Sequence, residues 1–450
     1  MNSPGFLVKA AKDELGKNFL PDRIGICLLL FLAFAVGFSR GLSNTAFALL
    51  FFVFLIRFIP WPQAKTIVSS LPKPYLWSQL IFALTWSLLI VFSPDSLPGA
   101  KFLITVLYLM AVFPITVLWA QEERWRSLIL PLLATGFITA SLIASWQAWP
   151  GMDCVRAKAH LGIMEYAGVL GLLTFFWAAL ALLAWQEKKR LLTGLYSLAF
   201  FAGLWGQTLN CTRISILSTL MGAIIFFILN IRRFSWRFLL ITLILLSLFF
   251  FYSSKQPEMA ARLASITNIK TDSSNAMRLS MWSYGWEIFK EHPVSGIGIK
   301  NLPPLLLVFD GNAISLTPLD KQYDENNVSP GAVPKGAQVH YHVHNVFLEI
   351  MVEGGVIGLA AYLALYLPFI FLALGRLRSP DIRIRSWAVL TLVLIGQYFT
   401  HSMTDQIFSL KPLMYVFWML MGLAYLQMQP GGHSSSATPT EIQAVKKQSL

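Results

Sequence analysis

Long apolar runs separated by short polar segments dominate the pattern of the chain. Twelve runs approach the roughly 20 residues that a helix needs to cross the apolar core of a bilayer. They lie near residues 24–38, 42–59, 75–92, 102–120, 127–147, 163–185, 191–209, 214–231, 238–252, 345–373, 386–403 and 412–428. The pattern predicts an all-α polytopic membrane protein with about 12 transmembrane helices.

The composition is typical of a chain surrounded by lipid rather than by water. Of the 450 residues, 56% are hydrophobic and only 13% are charged, and the mean hydropathy is +0.61. Soluble domains carry about 25% charged residues. The net charge of +13 does not indicate nucleic-acid binding, because the basic residues separate apolar runs and form no continuous face for phosphates.

The basic residues also predict the orientation in the membrane. When alternate loops are assigned to opposite sides, one side receives 21 Lys and Arg residues and the short loops of the other receive 6. By the positive-inside rule, both termini are cytoplasmic. The first run has no small-residue cleavage site, so we do not expect a cleavable signal peptide.

These assignments divide the chain into four parts. Residues 1–252 would hold transmembrane helices 1–9, and residues 344–428 would hold helices 10–12. Between them lies a large polar loop, residues 253–343, on the outer side, and long loops inside compact proteins are usually functional. The tail, residues 429–450, contains Pro-Gly-Gly and Ser-Ser-Ser and is expected to be disordered in the cytoplasm.

The outer loop contains a predicted amphipathic helix, Asn275–Glu291, which His292-Pro293 ends. Arg278, Trp282 and Trp286 recur at a spacing of four and share one face. A guanidinium pairs with phosphate oxygens, and indole rings stack on sugars. For the tryptophans alone we prefer an interfacial anchoring role, whereas Arg278 is expected to bind a ligand.

Other outer-side cations lie near the ends of predicted spans. Arg213 begins the eighth run, at a helix N-terminus close to the hydrocarbon, where an unpaired cation is unfavourable. An anionic ligand such as a lipid diphosphate would stabilise it there, and snorkelling to lipid headgroups explains it equally well. Arg156 and Lys158 add positive charge on the same side and are more commonly solvated loop residues.

Three histidines, His340, His342 and His344, alternate before the tenth run. On a strand they would share a face and could bind zinc. We prefer a single neutral imidazole, His344, as a base for a sugar hydroxyl, because the segment runs directly into a helix that Asn345 would cap. No metal or cofactor is therefore expected. Asp405 could orient the imidazole or pair with an arginine.

The cysteines, Cys27, Cys154 and Cys211, form no metal-binding spacing. Cys154 and Cys211 fall on the predicted outer side, where a disulfide is chemically permitted. Nothing in their spacing requires one, and free thiols are the expectation.

Several of these residues together resemble the O-antigen ligase and polymerase superfamily. His344-Asn345, nine further residues and Gly355-Val356-Ile357-Gly358 are similar to its histidine and glycine signature. Thr212-Arg213 resembles the arginine at the start of a helix in that family. Arg278, followed by Trp282 and then by the segment 292–298 of sequence His-Pro-Val-Ser-Gly-Ile-Gly, is also similar to that family. The predicted topology resembles the ligase layout over nearly the whole chain.

The resemblance implies a glycosyltransferase of the bacterial inner membrane, active on the periplasmic side in lipopolysaccharide biosynthesis. It implies metal-independent, inverting transfer of a glycan from undecaprenyl diphosphate to a hydroxyl of the lipid A-core oligosaccharide. His344 would be the base, and Arg213 and Arg278 would hold the diphosphate, a leaving group stabilised electrostatically. Donor, acceptor and membrane lipids are the expected partners, and nucleic acid is not.

Three alternatives remain open. An O-antigen polymerase usually has two sizeable periplasmic loops, whereas the second one here, near residues 148–162, is short. A protein O-oligosaccharyltransferase is usually longer at its C-terminus. A transporter of lipid-linked glycans is a different class of protein, and the chain shows neither clear internal repeats nor pairs of broken, charged helices.

The topology can be tested by cysteine labelling. In Lys321→Cys, a membrane-impermeable maleimide should label intact spheroplasts, because the positive-inside rule places the loop outside. Lys188→Cys, in a predicted cytoplasmic loop, should react only after permeabilisation, and the unaltered chain gives the background. The reverse pattern would mean that the orientation is wrong.

Overall fold

The computed structural model describes residues 20–59, 61–149, 156–230, 260, 273–310, 313–318 and 338–429. Up to residue 230, these described residues form ten helices: α1 (Leu20–Ala35), α2 (Arg40–Phe58), α3 (Trp61–Ser70), α4 (Lys73–Val91), α5 (Ser96–Met110), α6 (Val112–Trp119), α7 (Glu123–Ala148), α8 (Ile163–Gln186), α9 (Arg190–Asn210) and α10 (Arg213–Asn230). The predicted ninth run, residues 238–252, and the tail beyond residue 429 lie outside the described residues.

From residue 273 onward, the described part of the chain forms a helix, three strands and four further helices. They are α11 (Ser273–Glu291), β1 (Leu305–Asp310), β2 (Ala313–Pro318), β3 (Gln338–His340), α12 (Val346–Ala364), α13 (Leu367–Arg376), α14 (Ile382–Ser402) and α15 (Lys411–Gln427). The predicted loop helix, Asn275–Glu291, is thus confirmed as α11, with two more residues at its start.

Seven segments among the described residues are long and apolar enough to cross a membrane: α2, α4, α5 with α6, α7, α8, α10, and α12 with α13. Of the other helices, α1 and α15 are shorter, at 16 and 17 residues. Helices α9 and α14 contain buried glutamines, Gln207 and Gln397. The chain is a mostly helical, multi-pass membrane protein, and the count of twelve spans remains a prediction.

Helices α8 and α15 form the centre of the bundle. Both are apolar on every side, a pattern typical of a helix enclosed by other helices. In α8, 89% of the membrane-length window is buried, and α15 is buried from Pro412 to Ala424. Outer helices such as α4 expose apolar side chains instead, for example Leu84 and Leu88. These exposed faces are suited to contact with lipid.

The fold also contains a small antiparallel sheet, whereas the sequence predicts an all-α protein. Its strand order is β2-β1-β3, so the central strand β1 pairs with both neighbours. Leu305 and Leu307 of β1 join Met281 of α11 and Val343 in a second hydrophobic core. The prediction missed this sheet because β1 is a short, continuous apolar run, which periodicity cannot assign.

Helix α12 is broken in its middle by a loop that inserts into it. At Gly355 the backbone has φ 61° and ψ −163°, far from helical values. The amides of Ile297 and Gly298 donate to the carbonyls of Val352 and Glu353, at 2.9 and 3.0 Å. On the other side of the break, the amides of residues 356 and 357 donate to the carbonyls of residues 293 and 294. The loop therefore replaces the helical hydrogen bonds that the break removes.

Glycines allow the loop and the broken helix to approach this closely. Gly296 has φ 68°, and a Cβ there would overlap the backbone of Glu353. A Cβ at Gly355 would overlap the carbonyl oxygen of Val294. The two glycine-containing segments singled out in the sequence, 292–298 and 355–358, are thus two halves of one contact.

We expect Gly355→Ala to destabilise the protein, because alanine would combine a left-handed backbone with a steric overlap. The loss should be at least about 1–3 kcal/mol, measured by thermal unfolding of the purified protein in detergent. Gly375→Ala in α13 is a matched control, since nothing lies within 4 Å of its Cβ position. An unchanged unfolding temperature for Gly355→Ala would contradict this account of the break.

Candidate functional site

Arg213 is held by a tight turn between α9 and α10. Cys211 adopts a left-handed conformation, with φ 55°, and its amide donates to the carbonyl of Gln207. After one further residue α10 begins at Arg213, whose Nη1 donates to Oδ1 of Asn275, at 3.2 Å. The cation at the N-terminus of α10 is therefore fixed against the first turn of α11.

Arg278 lies in α11 and is held from two sides. Its Nη1 donates to Oγ of Ser274, one turn earlier, at 2.8 Å. Its Nε donates to the carbonyl oxygen of Thr404, at 3.3 Å. Thr404 belongs to the loop of residues 403–410 that joins α14 to α15, so this guanidinium connects the polar region to the helix bundle.

The two arginines line one cavity of about 270 Å³. Arg156 lines it as well, and none of the described residues around it is acidic. The lining consists of Arg156, Met164, Cys211, Thr212, Arg213, Ile214, Leu217, Ser274, Asn275, Arg278, Leu279, Trp282 and Thr404. Three guanidinium groups and several hydroxyl and amide groups on an apolar floor are suited to an anionic head group attached to a lipid.

His344 lies beside this cavity, in a strained backbone conformation with φ 53°. Its Nδ1 is 3.3 Å from Oδ1 of Asp405, and its Nε2 is 3.2 Å from Nδ1 of His340. Burial tends to raise the pKa of Asp405, but the hydrogen bond with His344 and the nearby imidazoles lower it overall. Because an ionised carboxylate only accepts hydrogen bonds, Nδ1 of His344 donates to it and Nε2 carries the lone pair.

The other two histidines are close to His344 and are neutral at pH 7. Burial, followed by the charges of His344, His342 and Arg278, lowers the pKa of His340 to about 4. Burial also lowers the pKa of His342, whose ring centroid lies 4.6 Å from that of His344. In the part of the chain that the structure describes, no group of three or more side chains is arranged to hold a metal ion. Metal independence stays a prediction.

Adjacent residues connect His344 to the cationic cavity. The carbonyl of Thr404 holds Arg278, and the carboxylate of Asp405 holds His344. Both contacts come from the 403–410 loop, so a movement of this loop would displace Arg278 and His344 together.

The remaining predicted site residues occupy different positions relative to the cavity. Asn345 is the expected N-cap of α12 and accepts a hydrogen bond from the amide of Leu348. Trp282 lines the cavity and also donates from Nε1 to the carbonyl of Val343, at 3.0 Å. Trp286 is 48% exposed and, like Lys158, does not line the cavity. Of the three residues predicted on one face, Arg278, Trp282 and Trp286, only the first two reach the site.

Cys211 corrects one expectation, since it is disulfide-bonded. Cys27 is free and exposed, and the third cysteine, Cys154, lies outside the described residues. Sequence spacing could not predict a disulfide, because bonding depends on how closely two segments approach in space.

Part of the chain is similar to a known protein family. Residues 198–363 match the model of a family described as O-antigen ligase. The match covers less than half of the 450 residues, so it shows that this part of the chain is similar to that family. No curated protein matches the chain significantly.

The matched range runs from within α9 to near the end of α12. It contains the two fixed arginines, Arg213 and Arg278, and the histidine, His344. Arg156 and Asp405 lie outside the matched range, although one lines the cavity and the other binds His344. The site therefore also includes residues on both sides of the matched range.

Proposed function

We propose that this protein is an O-antigen ligase of the bacterial inner membrane. It would transfer a glycan from undecaprenyl diphosphate to the lipid A-core oligosaccharide, on the periplasmic side, in lipopolysaccharide biosynthesis. The observation that carries the proposal is a cavity lined by three arginines directly beside an Asp405–His344 pair. The match of residues 198–363 to the O-antigen ligase family model supports the reaction class.

The cavity would bind the diphosphate of the donor. As the bond from the sugar to the diphosphate breaks, negative charge accumulates on the leaving oxygen. Arg213 and Arg278 are held by hydrogen bonds before any ligand arrives, so little reorganisation is needed to stabilise that charge. A guanidinium can also bind two phosphate oxygens at once, which fixes the orientation of the leaving group.

His344 would act as the general base. Its Nε2 lone pair takes the proton of the acceptor hydroxyl while that oxygen attacks the anomeric carbon, and the bond to the diphosphate oxygen breaks. Attack opposite the departing diphosphate inverts the anomeric centre. Asp405 stabilises the imidazolium that forms. Since His340 occupies Nε2 in the absence of substrate, the acceptor hydroxyl would replace this hydrogen bond.

Purified protein, a lipid-linked glycan and rough lipopolysaccharide provide the direct test. Glycosylated lipopolysaccharide should form and should still form in EDTA, because the proposed step uses no metal. Longer lipid-linked glycans without lipopolysaccharide would indicate a polymerase instead. Binding of the donor without turnover would indicate a transporter.

In the same assay, His344→Ala should abolish transfer, because no other side chain is paired with Asp405 in the described geometry. His340→Ala and His342→Ala are matched controls from the same segment and should retain most activity. Equal losses in all three variants, reversed by added zinc, would favour the metal site.

Arg213→Ala and Arg278→Ala should each lower turnover by about 100- to 1,000-fold, the loss typical of removing one charge-stabilising group. Lysine at either position should restore only part of the rate, because it returns the charge without the paired donors. Lys158→Ala is a control that removes an outer-side cation away from the cavity. Near-normal turnover of well-folded Arg278→Ala would mean that Arg278 only anchors α11.

A further inference from the structure

A buried ion pair lies next to the histidine cluster and is not part of the mechanism above. Nζ of Lys300 donates to Oε1 of Glu349, at 2.5 Å, and lies 3.8 Å from Oε1 of Glu353. The two carboxylates are 1% and 3% exposed. Burial acts to lower the pKa of Lys300, but Glu353 and Glu349 raise it overall, so the amine stays charged.

Lys300 reaches this position because of the loop inserted into α12. It follows that loop by two residues and adopts a left-handed backbone conformation, with φ 58°. Glu349 lies in the first turn of α12, after the Asn345 cap. The ion pair therefore joins the inserted loop to the half of α12 that begins beside His344.

Gln406 connects this ion pair to the 403–410 loop. Its Nε2 donates to the same Oε1 of Glu349, at 2.9 Å, and its backbone amide donates to Oδ1 of Asp405, also at 2.9 Å. Hydrogen bonds thus run without interruption from Lys300 through Glu349, Gln406 and Asp405 to His344.

Packing stability alone does not explain this arrangement. Apolar residues of similar size often stabilise a protein at least as well as a buried ion pair does. Within the described residues, the second oxygen of Glu349 and Oε1 of Gln406 also accept no hydrogen bond, and unpartnered buried groups are unfavourable. A functional demand on the geometry would account for keeping charged groups here.

We propose that Glu349 is a positioning residue that fixes the 403–410 loop through Gln406. Because that loop holds Arg278 through Thr404 and His344 through Asp405, Glu349 sets the distance between the diphosphate site and the base. Lys300 holds the Glu349 carboxylate in place beside Gln406. The effect on turnover rests on the proposed ligase function, whereas the effect on the loop does not.

Glu353 provides a matched control. It is buried on the same helix and faces the same lysine, but the hydrogen bond from Gln406 goes to Glu349. If the carboxylates only neutralise Lys300, loss of either one should have similar consequences. If Glu349 positions the loop, only its loss should affect catalysis strongly.

Four variants separate these roles: Gln406→Leu, Glu349→Leu, Glu349→Gln and Glu353→Leu. The first two should lower kcat by at least about tenfold, since small misplacements of reacting groups are costly. The KM for the donor should change less than about twofold, because the cationic cavity remains. Glu349→Gln keeps an acceptor oxygen for Gln406 and should recover much of the rate, and Glu353→Leu should stay near the unaltered protein.

Hydrogen–deuterium exchange of the 403–410 segment gives a readout that does not depend on activity. Exchange should rise in Gln406→Leu and Glu349→Leu and stay unchanged in Glu353→Leu. Unchanged exchange and turnover in Gln406→Leu would overturn the proposal, and so would equal losses in Glu353→Leu and Glu349→Leu. If the unaltered protein transferred no glycan, the ligase assignment would fail, while the exchange experiment would still test the positioning.

Discussion

The broken backbone of α12 is the constraint on which the site depends. In a membrane-embedded helix, unpaired amide and carbonyl groups have no water to bind, so a break persists only where protein satisfies them. Here the inserted loop does so with its own backbone, through hydrogen bonds on both sides of Gly355. The same insertion brings Lys300 to Glu349, which lies in the helix half that begins beside His344. This backbone contact thus fixes both Lys300 and the start of α12.

This arrangement explains why two arginines and a histidine from distant parts of the sequence lie close together. Arg213 lies at the start of α10, Arg278 in α11 and His344 before α12. The 403–410 loop, which follows α14, contacts Arg278 and His344 directly. The geometry therefore depends on a segment with no recognisable motif of its own.

The sequence predicted the parts of the site that rest on local patterns. Arg213 and Arg278 were expected to act together and do line one cavity, and Asn345 caps α12 as expected. Contacts between distant segments were not predictable in this way. Nothing in the spacing of Lys300, Glu349 and Gln406 indicates a network, and the disulfide of Cys211 is a spatial property as well. Trp286 shares a helical face with Arg278 but does not line the cavity, because helical spacing gives a face but not what that face contacts.

Left-handed backbone conformations have a consequence for how this protein balances folding against function. Six described residues other than glycine have positive φ, and four of them, Arg156, Cys211, Lys300 and His344, belong to the site or to its supporting network. Each costs roughly 1–2 kcal/mol relative to an ordinary conformation. Glycine would relieve that strain but would remove the guanidinium, sulfur, amine or imidazole. The region is therefore one where selection for activity and selection for stability favour different residues, and where stabilising substitutions would be expected to reduce function.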